Sequence, residues 1–388
     1  MGNQNEKIRN AFNSLYDYCR REGYSGWDNF DGLNSRIVNS APFHNFFLLR
    51  LAWIQFFKRS PVNFRKLALV PKGYNPKGLA LFVSGLVFDA KYDEAKSLID
   101  LLRGLASPGY KDFCWGYNFD WQSRTFLTPK GTPNLVTTVF VVNALLDYYE
   151  ATGDLECLGL AESGCKFYLE NLILFEHEDS LCFQYMPGST SRVYNVNMLG
   201  ASTLARVYKI NGDKRLYEKS KKAMTYAVKA LRKDYSWTYA EKRQFVDNFH
   251  TGFNLVSLGQ WMEYTGDYIW EEELRNAYDY FLHTFWLDNG CPKYYHNSLY
   301  PIDVHCSAQG IITVLKLSRY YDNGMELAER IAEWAIDNMQ DRTGYFYYQK
   351  TRWYTNRISY IRWSQSWMFY ALSTLIHEYA SYSRAPSK

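Results

Sequence analysis

Two short stretches of this chain place a carboxylate and an imidazole together at the head of an apolar run. In Arg243-Gln244-Phe245-Val246-Asp247-Asn248-Phe249-His250-Thr251-Gly252-Phe253-Asn254, an acid, an amide and a histidine fall between positions 247 and 250. A helical pattern of Phe253, Leu255, Val256, Leu258, Trp261 and Met262 starts there. Further on, Asp303-Val304-His305 repeats the device ahead of another apolar run. Polar groups at a helix start sit where free backbone N–H groups and the positive end of the dipole act on an anion. Taken singly, each stretch also fits a capping turn, with Asp247 or Asn248 as N-cap. The repetition is what argues for chemistry.

Other stretches of the same kind supply a matching inventory. Phe113 to Asn134 carries Trp115, Tyr117, Asp120, Trp121 and Arg124; Phe183 to Asn197 carries Arg192, Tyr194, Asn195 and Asn197. Gln309 follows His305, and Tyr345 to Trp367 holds Arg357, Arg362 and Trp363. Two chemistries suit these residues. Glycoside hydrolysis needs two carboxylates flanking the scissile bond, and the candidates are Asp31, Asp120, Asp247 and Asp303. Abstraction of the C5 proton of a uronic acid needs the sugar carboxylate neutralised and a base beside the carbon. His250, His305, Tyr117 and Tyr194 offer the acid–base groups, Arg124, Arg192 and Arg362 the clamp, and Asn195, Asn197, Asn248 and Gln309 the amide donors. Trp115, Trp121 and Trp363 offer faces that stack on sugar rings. The set fits uronate chemistry better than hydrolysis, and epimerisation and lyase action are not separated by it. A non-catalytic glycan-binding protein would need the aromatics alone.

A metal reading fares worse. Adjacent His305 and Cys306 on a helix start point about 100° apart, which makes them poor partners for one ion. No P-loop, GxGxxG or GxSxG occurs, so no metal or cofactor is expected.

The elements that must position these residues show in a repeat of turns. Thr152-Gly153-Asp154, Asn211-Gly212-Asp213 and Thr265-Gly266-Asp267 recur at intervals of 59 and 54 residues, with a looser Asp322-Asn323-Gly324 beyond. Each follows an apolar helix ending in aromatics and precedes a charged, amphipathic one: 155–171, 214–232, 268–285 and 325–338. Gly beside Asp fits a helix C′ position followed by the next N-cap. Upstream, 78–88 and 92–105 make another hairpin; 366–381 adds an apolar helix, and 6–21 an amphipathic one that can close against it. Helices apolar all round belong inside and half-polar helices outside. The expected fold is therefore all-α, an (α/α)6 toroid, with short β-hairpins in the joins at the N-terminal ends of the inner helices. An open solenoid is the alternative, disfavoured by the long aromatic joins. A further helix at 43–57 has no assigned place. No linker rich in Pro, Gly or Ser divides the chain, which predicts one domain over 1–388 with 1–60 as closing or accessory helices.

The Gly-Asp hairpins and the Trp- and Tyr-rich joins resemble the six-hairpin carbohydrate enzymes over roughly residues 70–380. The likeness extends loosely to the C-terminal domain of D-glucuronyl C5-epimerases and to the toroidal polysaccharide lyases and glycoside hydrolases. It implies a glycan groove at the inner-helix N-termini. The chain departs from most toroidal hydrolases in having no Glu at a join to pair with an Asp.

Composition agrees with a glycan as partner, while the Arg, Asn, Tyr and His inventory above points to an acidic glycan. Of 388 residues, 18% are aromatic, including 34 Tyr and 12 Trp, which suits a sugar-stacking groove. The net charge of +4 arises from 44 basic and 40 acidic residues with no long basic block, so nucleic acid is not indicated. Seven scattered cysteines without a CxxC fit reduced thiols, and no apolar run reaches membrane-spanning length. The opening Met-Gly-Asn-Gln-Asn-Glu-Lys lacks a hydrophobic signal region, so a soluble, cytoplasmic protein is expected.

Overall fold

A computed structural model describes residues 2–40, 45–122, 127–320 and 324–384. The chain opens with α1 (Gly2–Arg21), a short α2 (Arg36–Ser40) and α3 (Phe47–Arg59). The hairpin α4 (Pro76–Phe88) and α5 (Tyr92–Gly104) is followed by β1 (Trp121–Gln122) and β2 (Leu127–Thr128). Next come α6 (Leu135–Thr152) with α7 (Leu155–Asn171), then β3 (Ile173–Glu176) and β4 (Leu181–Phe183). The pairs α8 (Tyr194–Asn211) with α9 (Lys214–Val228), and α10 (Asn248–Thr265) with α11 (Glu271–Phe285), follow. Strand β5 (Ile302–Asp303) leads into α12 (Val304–Lys316) and α13 (Gly324–Met339). The chain ends in β6 (Gln349–Lys350), β7 (Thr355–Asn356) and α14 (Ser366–Arg384).

The even-numbered helices from α4 to α14 form a closed inner ring: each packs on the next, and α14 returns to α4. That closure excludes a solenoid and makes the fold an (α/α)6 toroid. Burial follows the sequence pattern. Every residue of α4 from Pro76 to Val87 is buried, whereas α5 buries Ala95, Leu98, Ile99 and Leu102, one helical stripe. Helix α1 packs on α13 and α14 as the outer member of the last hairpin. At Gly252 of α10 a Cβ would lie 2.7 Å from Gln309 Cγ of α12, so glycine permits the close approach of these two helices.

The turns behave largely as expected. Gly153, Gly212 and Gly266 end inner helices with φ of 78°, 72° and 72°, and Asp154 and Asp213 cap the helices that follow. Asp267 departs from the pattern. Helix α11 starts only at Glu271, and the Asp267 carboxylate instead accepts from Tyr217 Oη and Lys221 Nζ, both at 2.9 Å. The looser turn at Asp322-Asn323 lies outside the described residues. The alternating tyrosines Tyr345, Tyr347 and Tyr348 suggest a strand by sequence, but they precede β6, and Tyr347 N–H donates to Met339 O at the end of α13. The sheet is β5-β6-β7, antiparallel throughout, and ties the entrance of α12 to the last join.

Helix α3, a few residues later than the 43–57 expected, covers the first join from outside the ring. Its Trp53 Nε1 donates to Gly32 O (2.9 Å), and Ile54 packs on Leu33 and Val38. All seven cysteines are buried and unbridged. Among the described residues no helix is long and apolar enough to cross a membrane.

Candidate functional site

The first turns of five inner helices, and the π-helical turn that leads into the sixth, open onto one cavity of about 990 Å³. Lys77 comes from α4, Asn134 caps α6, Asn195 stands in α8, Asp247 caps α10 with His250 in its first turn, and His305 belongs to α12. Arg362 and Trp363 sit in a π-helical turn, Ile361–Gln365, that runs into α14. Helix N-termini aimed together at one space make it attractive to negative charge.

His250 is held by Asp247. The buried carboxylate accepts from the His250 backbone N–H (3.0 Å) and lies 2.9 and 2.8 Å from Nδ1 through its two oxygens. A carboxylate on Nδ1 puts the proton there and leaves Nε2 as the acceptor. Nε2 has no partner among the described residues, and the Tyr239 ring meets the imidazole edge-on at 4.6 Å.

His305 is arranged differently. It is 1% exposed and sits among rings: Phe249 stacked at 4.6 Å, Trp367 at 4.4 Å and Trp363 edge-on at 4.9 Å. Neither ring nitrogen has a hydrogen-bond partner among the described residues. Burial, then the charges of Lys77, Arg362 and His250, push its pKa well below the usual histidine range, so the imidazole is neutral. An unpartnered buried polar group costs about 1–3 kcal/mol, a cost that a ligand bonding it would remove.

Beside His305 lies Lys77, 4% exposed, with Nζ 4.1 Å from the Phe140 ring centroid and 5.3 and 5.2 Å from those of Phe253 and Trp367. Among the described residues no carboxylate pairs with it. Burial, with Arg362 adding, drives its pKa well below that of an ordinary lysine, against the pull of Asp28. Arg362 is charged and bidentate on Asp28, Nε to Oδ2 at 2.6 Å and Nη2 to Oδ1 at 2.8 Å, and its guanidinium overlies Tyr117 at 5.0 Å. Arg192, Lys242 and Arg243 lie around the same space, Arg192 paired with Glu241 at 3.2 Å.

Of the residues singled out by sequence, His250, His305, Tyr117, Asp247, Arg192, Arg362, Asn195, Trp121 and Trp363 line this cavity. Tyr117 Oη lies 3.1 Å from Tyr185 Oη. The others are placed elsewhere. Asp303 is fully buried behind the wall, where it caps His305 N–H (3.0 Å), accepts from Trp363 Nε1 (3.0 Å) and takes Gln349 Nε2 (3.2 Å). Burial raises its pKa to about 7, outweighing those hydrogen bonds. Asp120 accepts from Lys130 N–H (2.7 Å) in a turn, and Asp31 pairs with buried Arg65 at 2.7 Å.

Asn197 is a structural bridge, accepting from Phe183 N–H and donating to Leu181 O and Ala223 O. Trp115 is core, its indole donating to Leu102 O (2.7 Å). Tyr194 turns toward Tyr226, with ring centroids 6.1 Å apart. Asn248 is wholly buried with its amide unpartnered. Gln309 donates to Thr313 Oγ1 and borders a second, smaller cavity toward the other end of the ring, behind Phe253 and Trp367. Arg124 lies outside the described residues. Lys77 was not anticipated from sequence. Its signal is a single lysine at the second position of a helix that is otherwise apolar, in Pro76-Lys77-Gly78-Leu79.

No family model and no curated protein matches the chain. Among solved structures it is similar to the cellobiose 2-epimerase of Bacillus thermoamylovorans, with TM-score 0.64 and 13% identity over 79% of this chain and 88% of that one. A glycoside hydrolase family 76 mannosidase of Bacteroides thetaiotaomicron matches with TM-score 0.62 and 11% identity over 98% and 99%. An unsaturated glucuronyl hydrolase specific for heparin matches with TM-score 0.60 and 13% identity over 81% and 89%. At these identities the likeness establishes the toroid fold.

Proposed function

We propose that this protein is a carbohydrate-active enzyme that moves a proton at the C5 carbon of a uronate-containing glycan, as an epimerase or lyase. The observation that carries this reading is the pairing of two imidazoles in unlike states in one cavity. His250 is oriented by Asp247 with Nε2 free; His305 is buried, neutral and unbonded. In the reaction, His250 Nε2 takes the C5 proton and the C–H electron pair moves into the carboxylate, forming an enediolate. Lys77, the N–H of neutral His305 and the helix ends stabilise that negative charge, whereas Arg362 is already paired with Asp28. A carboxylate beside Lys77 supplies the counter-charge that burial denies it and restores its ammonium form. Return of a proton from the Tyr117 hydroxyl to the other face gives the C5 epimer, leaving a phenolate beside the Arg362 guanidinium until solvent restores both groups. Transfer of the proton from the His250 imidazolium to the departing 4-O substituent gives the unsaturated product instead. Tyr117, Trp121 and Trp363 offer rings for the sugar faces.

Hydrolysis is the rival that the mannosidase and glucuronyl hydrolase folds favour. Contrary to the expectation of no glutamate at a join, Glu241 in the join before α10 lines the cavity with Asp247. Hydrolysis is the weaker reading because these two carboxylates, the ones lining it among the described residues, are engaged by Arg192 and His250. The test is turnover of uronate oligosaccharides and neutral reducing sugars in deuterated water, followed by NMR. Deuterium at C5, or an unsaturated uronate, with neither in His250→Ala, is the expected result. New reducing ends without either would establish hydrolysis instead, and deuterium at C2 of a neutral aldose would remove the uronate.

A further inference from the structure

Helix α3 carries its apolar residues on the wrong side for a soluble surface. Ile54 and Phe57 face inward, yet Leu48, Leu49, Ala52 and Phe56 face solvent, Leu48 being 72% exposed. The loop that follows adds Val62, Leu67 (76%) and Leu69, and the β6–β7 turn adds Trp353 at 83%. These segments are tied together: Tyr354 Oη donates to Arg59 O and Asn356 Nδ2 to Ser60 O, both at 3.1 Å, while Arg36 N–H donates to Leu69 O (3.3 Å). Single exposed leucines mean little. Here ten of the twenty large, exposed apolar side chains among the described residues fall between 37 and 69 or at 353–354, which marks an interaction surface.

Its charge says what kind. No Asp or Glu occurs from Gly32 to Phe88, or from Arg342 to His377. Arg36, Arg59, Lys66, Arg352 and Arg357 are exposed on these segments and have no carboxylate partner among the described residues. Arg352 lies over the Trp353 ring at 5.3 Å. Aliphatic and Trp side chains ringed by unpaired cations match an interface of acyl chains and anionic headgroups. A second copy of the chain fits poorly, because a two-fold contact would set these cations against one another.

We infer that this face, formed by α2, α3, the 60–69 loop and the β6–β7 hairpin, docks the enzyme on an anionic phospholipid bilayer. The surface adjoins the site: Lys58 near the end of α3 lines the catalytic cavity and overlies Phe30 at 4.8 Å. Docking therefore holds the cavity close to the headgroups. The inference stands apart from the proposed reaction and is read without substrate.

The full chain is sedimented with vesicles of phosphatidylcholine alone, and with vesicles of one part phosphatidylserine to two parts phosphatidylcholine. It should pellet with the second far more than with the first, and salt should release it. Leu48→Glu/Phe56→Glu should bind at least about tenfold more weakly at an unchanged melting temperature, since both side chains are already in solvent. Arg59→Glu/Lys66→Glu should lose the preference for phosphatidylserine. The idea is overturned if neither vesicle pellets the chain, if both do so equally, or if Leu48→Glu/Phe56→Glu binds like the parent. A concentration-dependent dimer that Leu48→Glu/Phe56→Glu dissolves would overturn it in favour of a second copy.

Discussion

The entrances of α10 and α12 are built from the same residue types and do different things. In α10 the histidine is three residues after the capping aspartate; in α12 it is two. On a helix, a step of three returns to within about 60° of the starting face, whereas a step of two lands about 160° away. Asp247 therefore reaches the imidazole of His250 as well as its backbone N–H. Asp303 reaches only the backbone N–H of His305 and spends its second oxygen on Trp363 and Gln349. One residue of spacing separates an imidazole oriented by a carboxylate from a buried neutral one, and one carboxylate that borders the cavity from one that braces its wall.

The sharpest way to break this contrast is to remove each imidazole. His250→Ala should lower kcat by about 10²–10⁴, the range for a lost acid–base group, measured on whichever glycan the turnover assay identifies. His305→Ala should lower kcat by about 10²–10³, the range for a lost hydrogen-bond donor to the developing charge; a loss in His250→Ala alone would reduce His305 to packing. The aspartates come next. Asp247→Asn should lower kcat with little change in KM, because the imidazole loses its orienter. Asp303→Asn should instead cost about 1–3 kcal/mol of stability, since an amide nitrogen cannot accept the N–H groups that the carboxylate accepts. Urea unfolding and kinetics on both variants decide this, and equal kinetic losses in two folded proteins would erase the distinction.

Acid stability sharpens it further. The pKa of His305 is depressed in the folded state, so the unfolded chain binds the extra proton first and stability falls as pH drops below the ordinary histidine range. His305→Phe should lack that fall, and its melting-temperature advantage over the parent should widen on acidification. Asp303 has the opposite sign: with a folded pKa of about 7, raised from 3.8, its contribution is full below 3.8 and lost as pH rises through about 7. The cost of Asp303→Asn should therefore grow as pH falls through that window. The smallest effects belong to residues turned away from the cavity. Tyr194→Phe and Asp120→Asn should leave kcat unchanged, and a loss in either like that of His250→Ala would move the site.

What the sequence determined by itself is what depends on neighbours along the chain. The Gly-Asp turns, the alternation of all-apolar with half-polar helices, and the acids at the heads of α10 and α12 all follow from caps and helical periodicity, which span a few residues. Even the difference between the two histidines lies in their spacing from Asp247 and Asp303. The tertiary structure decided which polar residues of the joins share one space. Asn197 and Asn195 are two positions apart, yet one bridges β4 to α9 while the other faces the cavity. Arg362 is neutralised by Asp28, 334 residues away, and so is no free clamp. Lys77 acquires its unusual state only because ring closure brings Phe140, Phe253 and Trp367 around it. Burial and charge pairing depend on every element that packs at the site, and those elements come from the whole length of the chain.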